Sequence, residues 1–514
     1  MGDGSLMRRV NPKVFVPTVV LTALYIAFQW QYFDTSLWLD EASTWWVAEK
    51  SVWEILFRSE PFATHGAYHL SVSLWIELFG RSEISLRAFS LCCTILSLFC
   101  FHRLLRLIIS RRLSVITELV ISAAFLFHPL VFEVGVYARP YAFALFLSLL
   151  ALERLFLFLR LARSRYLAQC AFFTILALTA HPLFIPLFLV ALAAIVLMPT
   201  GRVKRWVRRR AIFTLSAALL VTAAFIAVTN VQSMIGRASD TYRFAANWPE
   251  FYITFNSATF LLLFLPLGLL LIAGAAQAAA WRKNVRIPGV VPIRTQTIIL
   301  LTVWLFSTHG MLLFLSCVLD AKLGVVSRYA YFSLSGYVIA LGFALEAMPK
   351  AHRWLGAAII GLISLLVCTT QGPNPEGWRE AAEYVKTTST GNDSVLFWCG
   401  HSESTMEQWL TEQFIPGWLA PALYYELDRS TQLFALAPLE TSGVKSNYMA
   451  KVLAKAVNSN RVVLILRIIT DSVREELVQP LAQFLNDAGF EQCGEHTFVY
   501  TGVVVFSRAG SCPT

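Results

Sequence analysis

The sequence has few charged residues for its length. Charged side chains make up 14% of its 514 residues, whereas hydrophobic side chains make up 57%, and the mean hydropathy is +0.60. Soluble globular domains carry more charge and fewer apolar residues, so this composition excludes that class and predicts a polytopic membrane protein. The formal net charge of +10 does not indicate nucleic-acid binding, because the basic residues cluster between apolar segments.

Motifs that bind nucleotides or metals are also missing. The chain has neither a Walker loop nor a dinucleotide-binding fingerprint, and it has no internal repeat or low-complexity segment. No pair of its cysteines has the spacing of a metal site. Three cysteines, Cys399, Cys493 and Cys512, follow the apolar segments, so one disulfide can form there, although the sequence does not identify its partners.

Long apolar runs dominate the first 370 residues. About 20 apolar residues are needed to cross a bilayer, and this requirement predicts eleven transmembrane helices at 14–33, 87–108, 113–132, 140–160, 166–181, 183–199, 211–230, 251–279, 297–319, 328–348 and 354–370. The first run follows Arg8, Arg9 and Lys13, and no small-residue cleavage site comes after it, so it is predicted to be a retained anchor.

Two shorter apolar segments, at about 42–57 and 65–79, have mixed polar and apolar faces. They are predicted to lie in the membrane plane within one long first outer loop, because about 15 residues are too few to cross. With that assignment and a cytoplasmic amino terminus, the basic loops, including 202–210, all lie inside. Treating 65–79 as a span would invert every later loop.

An odd number of spans leaves residues 371–514 on the outer side. The turn-rich segment 371–377 introduces this region, in which strand-like runs at 394–398, 461–469 and 497–507 alternate with helix-like stretches. The sequence therefore predicts a transmembrane domain at 1–370 and an extracytoplasmic α/β domain at 371–514.

Several ionisable residues are expected at the outer membrane surface. Asp40 and Glu41 follow the first span, and ionised carboxylates at such a boundary need a cation, a metal or a proton-transfer task. Arg139 and Arg328 lie at outer helix ends, where a single arginine often only contacts headgroups. Together, carboxylates and arginines on one face of a helix bundle predict a site for a phosphorylated lipid.

The order of these motifs resembles the GT-C superfamily of polyprenyl-phosphate-sugar-dependent glycosyltransferases, in the branch of protein O-mannosyltransferases and bacterial aminoarabinose transferases. The resemblance covers roughly residues 10–400 and rests on Leu39-Asp-Glu-Ala42, His65-Gly66, Leu78-Phe-Gly-Arg-Ser-Glu-Ile-Ser-Leu-Arg87, Tyr137-Ala-Arg-Pro-Tyr-Ala142, Ala180-His-Pro182, Ser327-Arg-Tyr329 and Gly377-Trp-Arg-Glu-Ala-Ala382. Two departures are Gly66-Ala67-Tyr68, where prolines are usual, and Ala138, where an acidic residue is common.

The resemblance implies a function and residue roles. A sugar would pass with inversion from a polyprenyl-phosphate donor to a hydroxyl of a lipid, glycan or protein acceptor. Asp40 would be the general base, Glu41 would position a partner or share a divalent cation with Asp40, and Arg139 and Arg328 would bind the donor phosphate. The remaining expected substrate contacts are His65, His69, Tyr137, His181 and Tyr329.

This function places the chain in a bacterial plasma membrane, in contact with membrane lipids and without a nucleic-acid partner. A transporter or flippase for a phosphorylated lipid or sugar is the alternative, and a non-catalytic lipid-binding protein is a third class. Transporters usually place ionisable groups near the bilayer midplane between repeated halves. The charges of this chain are instead expected at the outer interface, and the adjacent Asp40 and Glu41 favour an enzyme.

Overall fold

The computed structural model is mainly helical, with one β-sheet near its C-terminal end. It describes residues 12–57, 65–109, 113–197, 205–240, 257–282, 292, 294–318, 327–368, 376–389, 392–399, 415–429, 431–437, 443–467 and 474–512. Most of the predicted linker at 371–377 lies outside these residues.

The helices before residue 370 form a bundle. They are α1 (Pro12–Phe33), α2 (Leu39–Ala48), α3 (Val52–Phe57), α4 (Gly66–Phe79), α5 (Glu83–Ile109), α6 (Val115–Leu126), α7 (Pro129–Val134), α8 (Pro140–Leu161), α9 (Ser164–Ala180), α10 (Pro186–Leu197), α11 (Arg205–Asp240), α12 (Ser257–Arg282), α13 (Thr295–Val318), α14 (Ser333–Ala347) and α15 (Lys350–Cys368). Short 3-10 turns at Pro182–Phe184 and Ser327–Ala330 precede α10 and α14.

Four of the described helical segments are long and apolar enough to cross a membrane: α5, α8, Arg205–Ala227 and Thr295–Leu315. The number of eleven spans stays a prediction. The expected span 113–132 is divided into α6 and α7 because Pro129 begins a new helix after His128. At 1.5 Å per residue α6 is ~18 Å long, which is less than the ~30 Å hydrocarbon core.

The segments expected in the membrane plane are helical. The first begins at Leu39, three residues before the expected start, and is divided into α2 and α3, whereas α4 coincides with the expected 65–79. Trp53 on α3 and Leu78 on α4 are 70% and 68% exposed. Such apolar side chains suit contact with lipid, although the orientation of these helices in a membrane stays a prediction.

The helices of the bundle pack closely against one another. Gly336 on α14 shows how small residues allow it: a Cβ at this position would lie 2.8 Å from the carbonyl carbon of Trp304 on α13. In apolar surroundings helices associate through van der Waals packing, and small residues bring their backbones together. Any larger residue at 336 would push α13 and α14 apart.

A five-stranded mixed sheet occupies the C-terminal part. Its strands are β1 (Asp393–Trp398), β2 (Gln432–Ala435), β3 (Arg461–Arg467), β4 (Phe490–Phe498) and β5 (Thr501–Arg508), in the spatial order β2-β1-β3-β5-β4. β1 is parallel to β2 and β3, and β5 is antiparallel to β3 and β4. The helices around the sheet are α16 (Trp378–Thr388), α17 (Ile415–Trp418), α18 (Ala420–Tyr424), α19 (Gly443–Ala456) and α20 (Gln479–Asp487).

Of the three cysteines near the sheet, Cys493 on β4 forms a disulfide with Cys512, while the buried Cys399 is not disulfide-bonded. One face of the sheet is covered mainly by α16, α17 and α18, and one buried residue of the N-terminal bundle joins their apolar cluster. Leu39, the first residue of α2, is buried in the same apolar cluster as Trp378, Phe397 and Trp418. The sheet region therefore contacts the helix that carries Asp40 and Glu41.

Candidate active site

Asp40 and Glu41 lie in the first turn of α2, where the unpaired N–H groups of a helix favour negative charge. Successive residues of a helix point about 100° apart, so the two carboxylates have different surroundings. The Asp40 side chain is 21% exposed, whereas the Glu41 side chain is completely buried.

The Asp40 carboxylate faces two arginines. Its Oδ2 lies 3.4 Å from Nη2 of Arg139 and 3.9 Å from Nη2 of Arg328. Arg139 also donates from Nη1 to the Asp40 carbonyl at 3.2 Å, and the Arg328 guanidinium lies 4.8 Å from the centre of the Trp38 ring. The structure thus brings together the proposed base and both proposed phosphate-binding arginines, although Asp40 and Arg328 lie 288 residues apart in sequence.

Local backbone structure directs Arg139 into the site. Arg139 is extended (φ −135°, ψ 157°), its N–H donates to the Tyr137 carbonyl at 2.6 Å, and Pro140 then begins α8. Burial lowers the pKa of Arg139, whereas the Asp40 carboxylate and nearby groups raise it. The second effect is larger, so the pKa lies above its usual value. The guanidinium is therefore a permanent cation.

Both arginines retain a donor that no described residue uses. The Nε atoms of Arg139 and Arg328 are buried and make no hydrogen bond within the described part of the chain. A buried N–H without an acceptor costs free energy, about 1–3 kcal/mol. An anion placed between the two guanidinium groups could accept from these atoms.

Glu41 has a different environment. Its carboxylate accepts from Arg87 at 3.0 Å (Nε to Oε1) and at 2.6 Å (Nη2 to Oε2). Backbone N–H groups of Ala138 and Trp38 donate to the same two oxygens at 2.9 and 3.1 Å. All of these contacts are internal, so this carboxylate connects α2 to α5 and to the turn that precedes Arg139.

The surroundings of Asp40 and Glu41 do not suit the divalent cation that the sequence analysis gave as one possible role for this pair. Glu41 is bonded to Arg87, and Asp40 faces two guanidinium groups, which would repel a cation. Within the described ranges, no group of three or more His, Cys, Asp or Glu residues could hold a metal ion.

Three histidines lie next to the arginines. The rings of His65 and His181 stack with centroids 4.9 Å apart, and His69 lies 6.0 Å from His65. Burial, and then the charge of Arg139, lowers the pKa of His69 to about 3, so its imidazole is neutral. Its buried Nδ1 makes no hydrogen bond to a described residue and is a potential ligand-binding atom.

The two tyrosines expected at the site contact different neighbours in it. The ring of Tyr329 is 6.3 Å from that of His181, and Tyr137 is 5.7 Å from Trp38. Tyr141, which was not among the expected contacts, lies 4.9 Å from His181. Of the residues expected from the sequence, only Glu41 is withdrawn from this cluster.

Two solved structures with a similar fold are glycosyltransferases. The oligosaccharyltransferase of Archaeoglobus fulgidus matches with a TM-score of 0.52 at 11% identity, over 90% of this chain and 70% of the archaeal chain. The arabinofuranosyltransferase AftD from Mycobacteria also matches with a TM-score of 0.52, at 13% identity, over 99% of this chain but only 40% of its own length.

No protein-family model matches the sequence, and no curated protein matches it significantly. The likeness at 11–13% identity concerns the fold rather than the substrates. The described helices and the sheet region together share the fold of these two solved structures.

Proposed function

We propose that this protein is an integral-membrane glycosyltransferase that moves a sugar from a polyprenyl-phosphate donor to an acceptor hydroxyl. The observation that carries this proposal is the partly exposed Asp40 carboxylate between Arg139 and Arg328, on a fold that sugar-transferring membrane enzymes share. A base and two cations at one point are the groups that such a reaction needs.

In the proposed reaction Asp40 takes the proton of the acceptor hydroxyl. The acceptor oxygen attacks the anomeric carbon from the face opposite the phosphate, a new C–O bond forms, and the bond to the phosphate oxygen breaks with inversion. The phosphate leaves with an additional negative charge, which Arg139 and Arg328 stabilise through the Nε donors that no described residue occupies. The proton thus ends on Asp40, and the negative charge ends on the lipid phosphate.

The polar side chains beside the arginines are proposed to contact sugar or acceptor hydroxyls. His65, His69 and His181 form the imidazole cluster, and Tyr329 and Tyr137 lie at its edges. The neutral imidazole of His69 can both donate and accept a hydrogen bond, which suits a hydroxyl. The identity of the sugar and of the acceptor does not follow from these contacts.

The site is proposed to face the extracytoplasmic side of a bacterial plasma membrane, with the amino terminus inside. The distribution of basic residues supports this orientation. The disulfide between Cys493 and Cys512 supports it too, because disulfides persist in oxidising compartments.

Labelling tests this topology at two exposed positions. A membrane-impermeant thiol reagent should label intact cells that carry Lys386→Cys, while Trp206→Cys should react only after the membrane is permeabilised. The unsubstituted chain gives the background from native thiols. Mass spectrometry without reductant should recover a peptide pair joined through Cys493 and Cys512. Reaction of both substituted positions from one side would contradict the orientation.

The two arginines are tested by substitution with glutamine, which keeps a polar side chain but removes the fixed cation. Arg139→Gln and Arg328→Gln should each lower kcat/KM for the donor by about 10- to 100-fold, because each loses a charge-assisted hydrogen bond to the phosphate. Arg81→Gln is the control, since Arg81 is 53% exposed and pairs with surface carboxylates. Unchanged transfer by both site variants would make these arginines mere membrane anchors.

A further inference from the structure

The segment between α1 and α2 determines where Asp40 lies, yet residues 34–38 belong to no helix or strand. Ser36 and Leu37 are nevertheless buried, at 2% and 0% exposure. A buried irregular segment needs hydrogen-bond partners for its backbone, because unpaired polar groups are costly away from water. These partners come from two separate regions of the chain.

The carbonyl groups of the segment are bound from within the bundle. Arg87 on α5 donates from Nη1 to the carbonyls of Tyr32 and Thr35 at 2.6 and 2.8 Å, and from Nη2 to the carbonyl of Ser36 at 3.0 Å. The same guanidinium binds Glu41. One arginine therefore fixes one side of the segment and the first turn of α2.

The opposite side of the segment is bound by the region that carries the sheet. The hydroxyl of Tyr425 accepts from the Leu37 N–H at 2.7 Å. The backbone N–H of Arg379 donates to Ser36 Oγ at 3.1 Å, and the Arg379 guanidinium binds the Asp34 carbonyl at 3.0 Å and Glu83 at 2.8 Å.

Glu376 completes this set at the residue before Asp40. Its Oε2 accepts from the Leu39 N–H at 2.9 Å and from Trp378 Nε1 at 2.7 Å, while Arg467 on β3 donates to Oε1 at 2.6 Å. The N-terminal N–H groups of a helix have no partner within the helix. The N-cap Trp38 makes no side-chain cap for α2, so Glu376, some 337 residues away in sequence, caps it instead.

We infer that the C-terminal region is a positioning element for Asp40, in which Glu376 and Tyr425 are the positioning residues. Neither residue contacts the reacting atoms. Tyr425 binds a backbone N–H of the segment and Glu376 binds the first N–H of α2, and the placement of both N–H groups aligns Asp40 with Arg139 and Arg328. The catalytic part of this inference rests on the proposed function, whereas the mechanical part, that these side chains hold residues 34–40, stands independently of it.

Hydrogen exchange tests the mechanical part without any assay of activity. Tyr425→Phe removes one oxygen and keeps the packed ring, so exchange of a peptide covering residues 34–42 should accelerate about 10- to 100-fold at the affected amides. Tyr424→Phe is the matched control: the neighbouring hydroxyl donates to the Arg81 carbonyl and not to this segment. Equal exchange in both variants and the wild type would overturn the inference.

Kinetics test the catalytic part. Glu376→Ala should lower kcat for sugar transfer by about 10- to 100-fold with little change in KM for the donor, because small misplacements of a catalytic group reduce rate. Glu376→Gln keeps an oxygen that accepts from Leu39 and should recover part of this loss. Glu495→Gln removes another carboxylate that is paired with an arginine in the same region, and it should leave both constants unchanged.

The outcomes separate the two proposals. Wild-type protein that transfers no sugar, combined with accelerated exchange in Tyr425→Phe, would reject the proposed function and retain the mechanical part of the inference. Active wild type with an unaltered kcat in Glu376→Ala would reject the positioning role alone. If Glu376→Ala does not fold, Tyr425→Phe, assayed in the same way, decides the matter: an unchanged kcat in that variant also rejects the positioning role.

Discussion

Asp40→Asn is expected to reduce sugar transfer by about 10²–10⁴-fold, the usual contribution of a general base. Asparagine has nearly the same volume and can still hydrogen-bond to the two arginines, but it cannot take a proton. The Asp40 side chain is 21% exposed, so solvent reaches it. Loss of the carboxylate charge should therefore leave membrane abundance and thermal unfolding close to those of the wild type. Transfer should be measured with purified protein and a polyprenyl-phosphate sugar donor.

Asp428→Asn provides the control for this experiment, because it neutralises an exposed aspartate in the C-terminal region outside the site. It should retain normal activity. If Asp40→Asn transferred sugar at the wild-type rate, Asp40 would not be the base, and a transporter of phosphorylated lipid would become the better interpretation. Donor uptake into vesicles, with no transfer, would then identify that transporter.

The convergence of Asp40, Arg139 and Arg328 could be predicted because each follows a strong local signal. Each was expected at the outer end of an apolar helix, and helix ends on one side of a bundle lie close together. The different environments of Asp40 and Glu41 could not be predicted, since adjacent acidic residues look equivalent in a sequence. Only the position of Arg87 on α5 decides that Glu41 is buried in an ion pair.

The sheet shows a similar limit. Apolar runs predicted β1, β3 and all but the last residue of β5, which are the central strands and are buried, although the run 497–507 also included the end of β4. β2 has only four residues, and β4 contains charged and polar residues along an exposed edge, so neither gives a clear apolar signal. Glu376 was equally hard to identify, because a single acidic residue in a turn-rich linker gives no sign that it will cap a distant helix.

A second large effect is expected when the ion pair between Glu41 and Arg87 is broken. This effect concerns stability. The two side chains are 0% and 3% exposed, and they are joined by two hydrogen bonds of 3.0 and 2.6 Å. Breaking a buried ion pair by neutralising one partner leaves the other charge uncompensated and costs about 3–5 kcal/mol. Glu41→Gln should therefore lower the unfolding temperature and membrane abundance markedly, in contrast to Asp40→Asn.

A double-mutant cycle can separate this structural role from catalysis. Arg87→Gln alone should destabilise about as strongly as Glu41→Gln, because it leaves the Glu41 carboxylate buried without its cation. The double variant removes both charges, so it should be less destabilised than the sum of the single variants, with a coupling energy of roughly 1–3 kcal/mol. Arg429→Gln, which alters an ion pair with a 71% exposed arginine, should change stability by less than about 1 kcal/mol.

Activity measured per folded molecule completes the comparison. If Glu41 only holds α2 against α5, the folded fraction of Glu41→Gln should keep far more activity than Asp40→Asn, since its Asp40 remains a base. A Glu41→Gln protein as stable as the wild type but inactive would contradict this assignment and place Glu41 in the chemistry. The physical basis of the expectation is the set of four internal N–H donors that already occupy the Glu41 carboxylate.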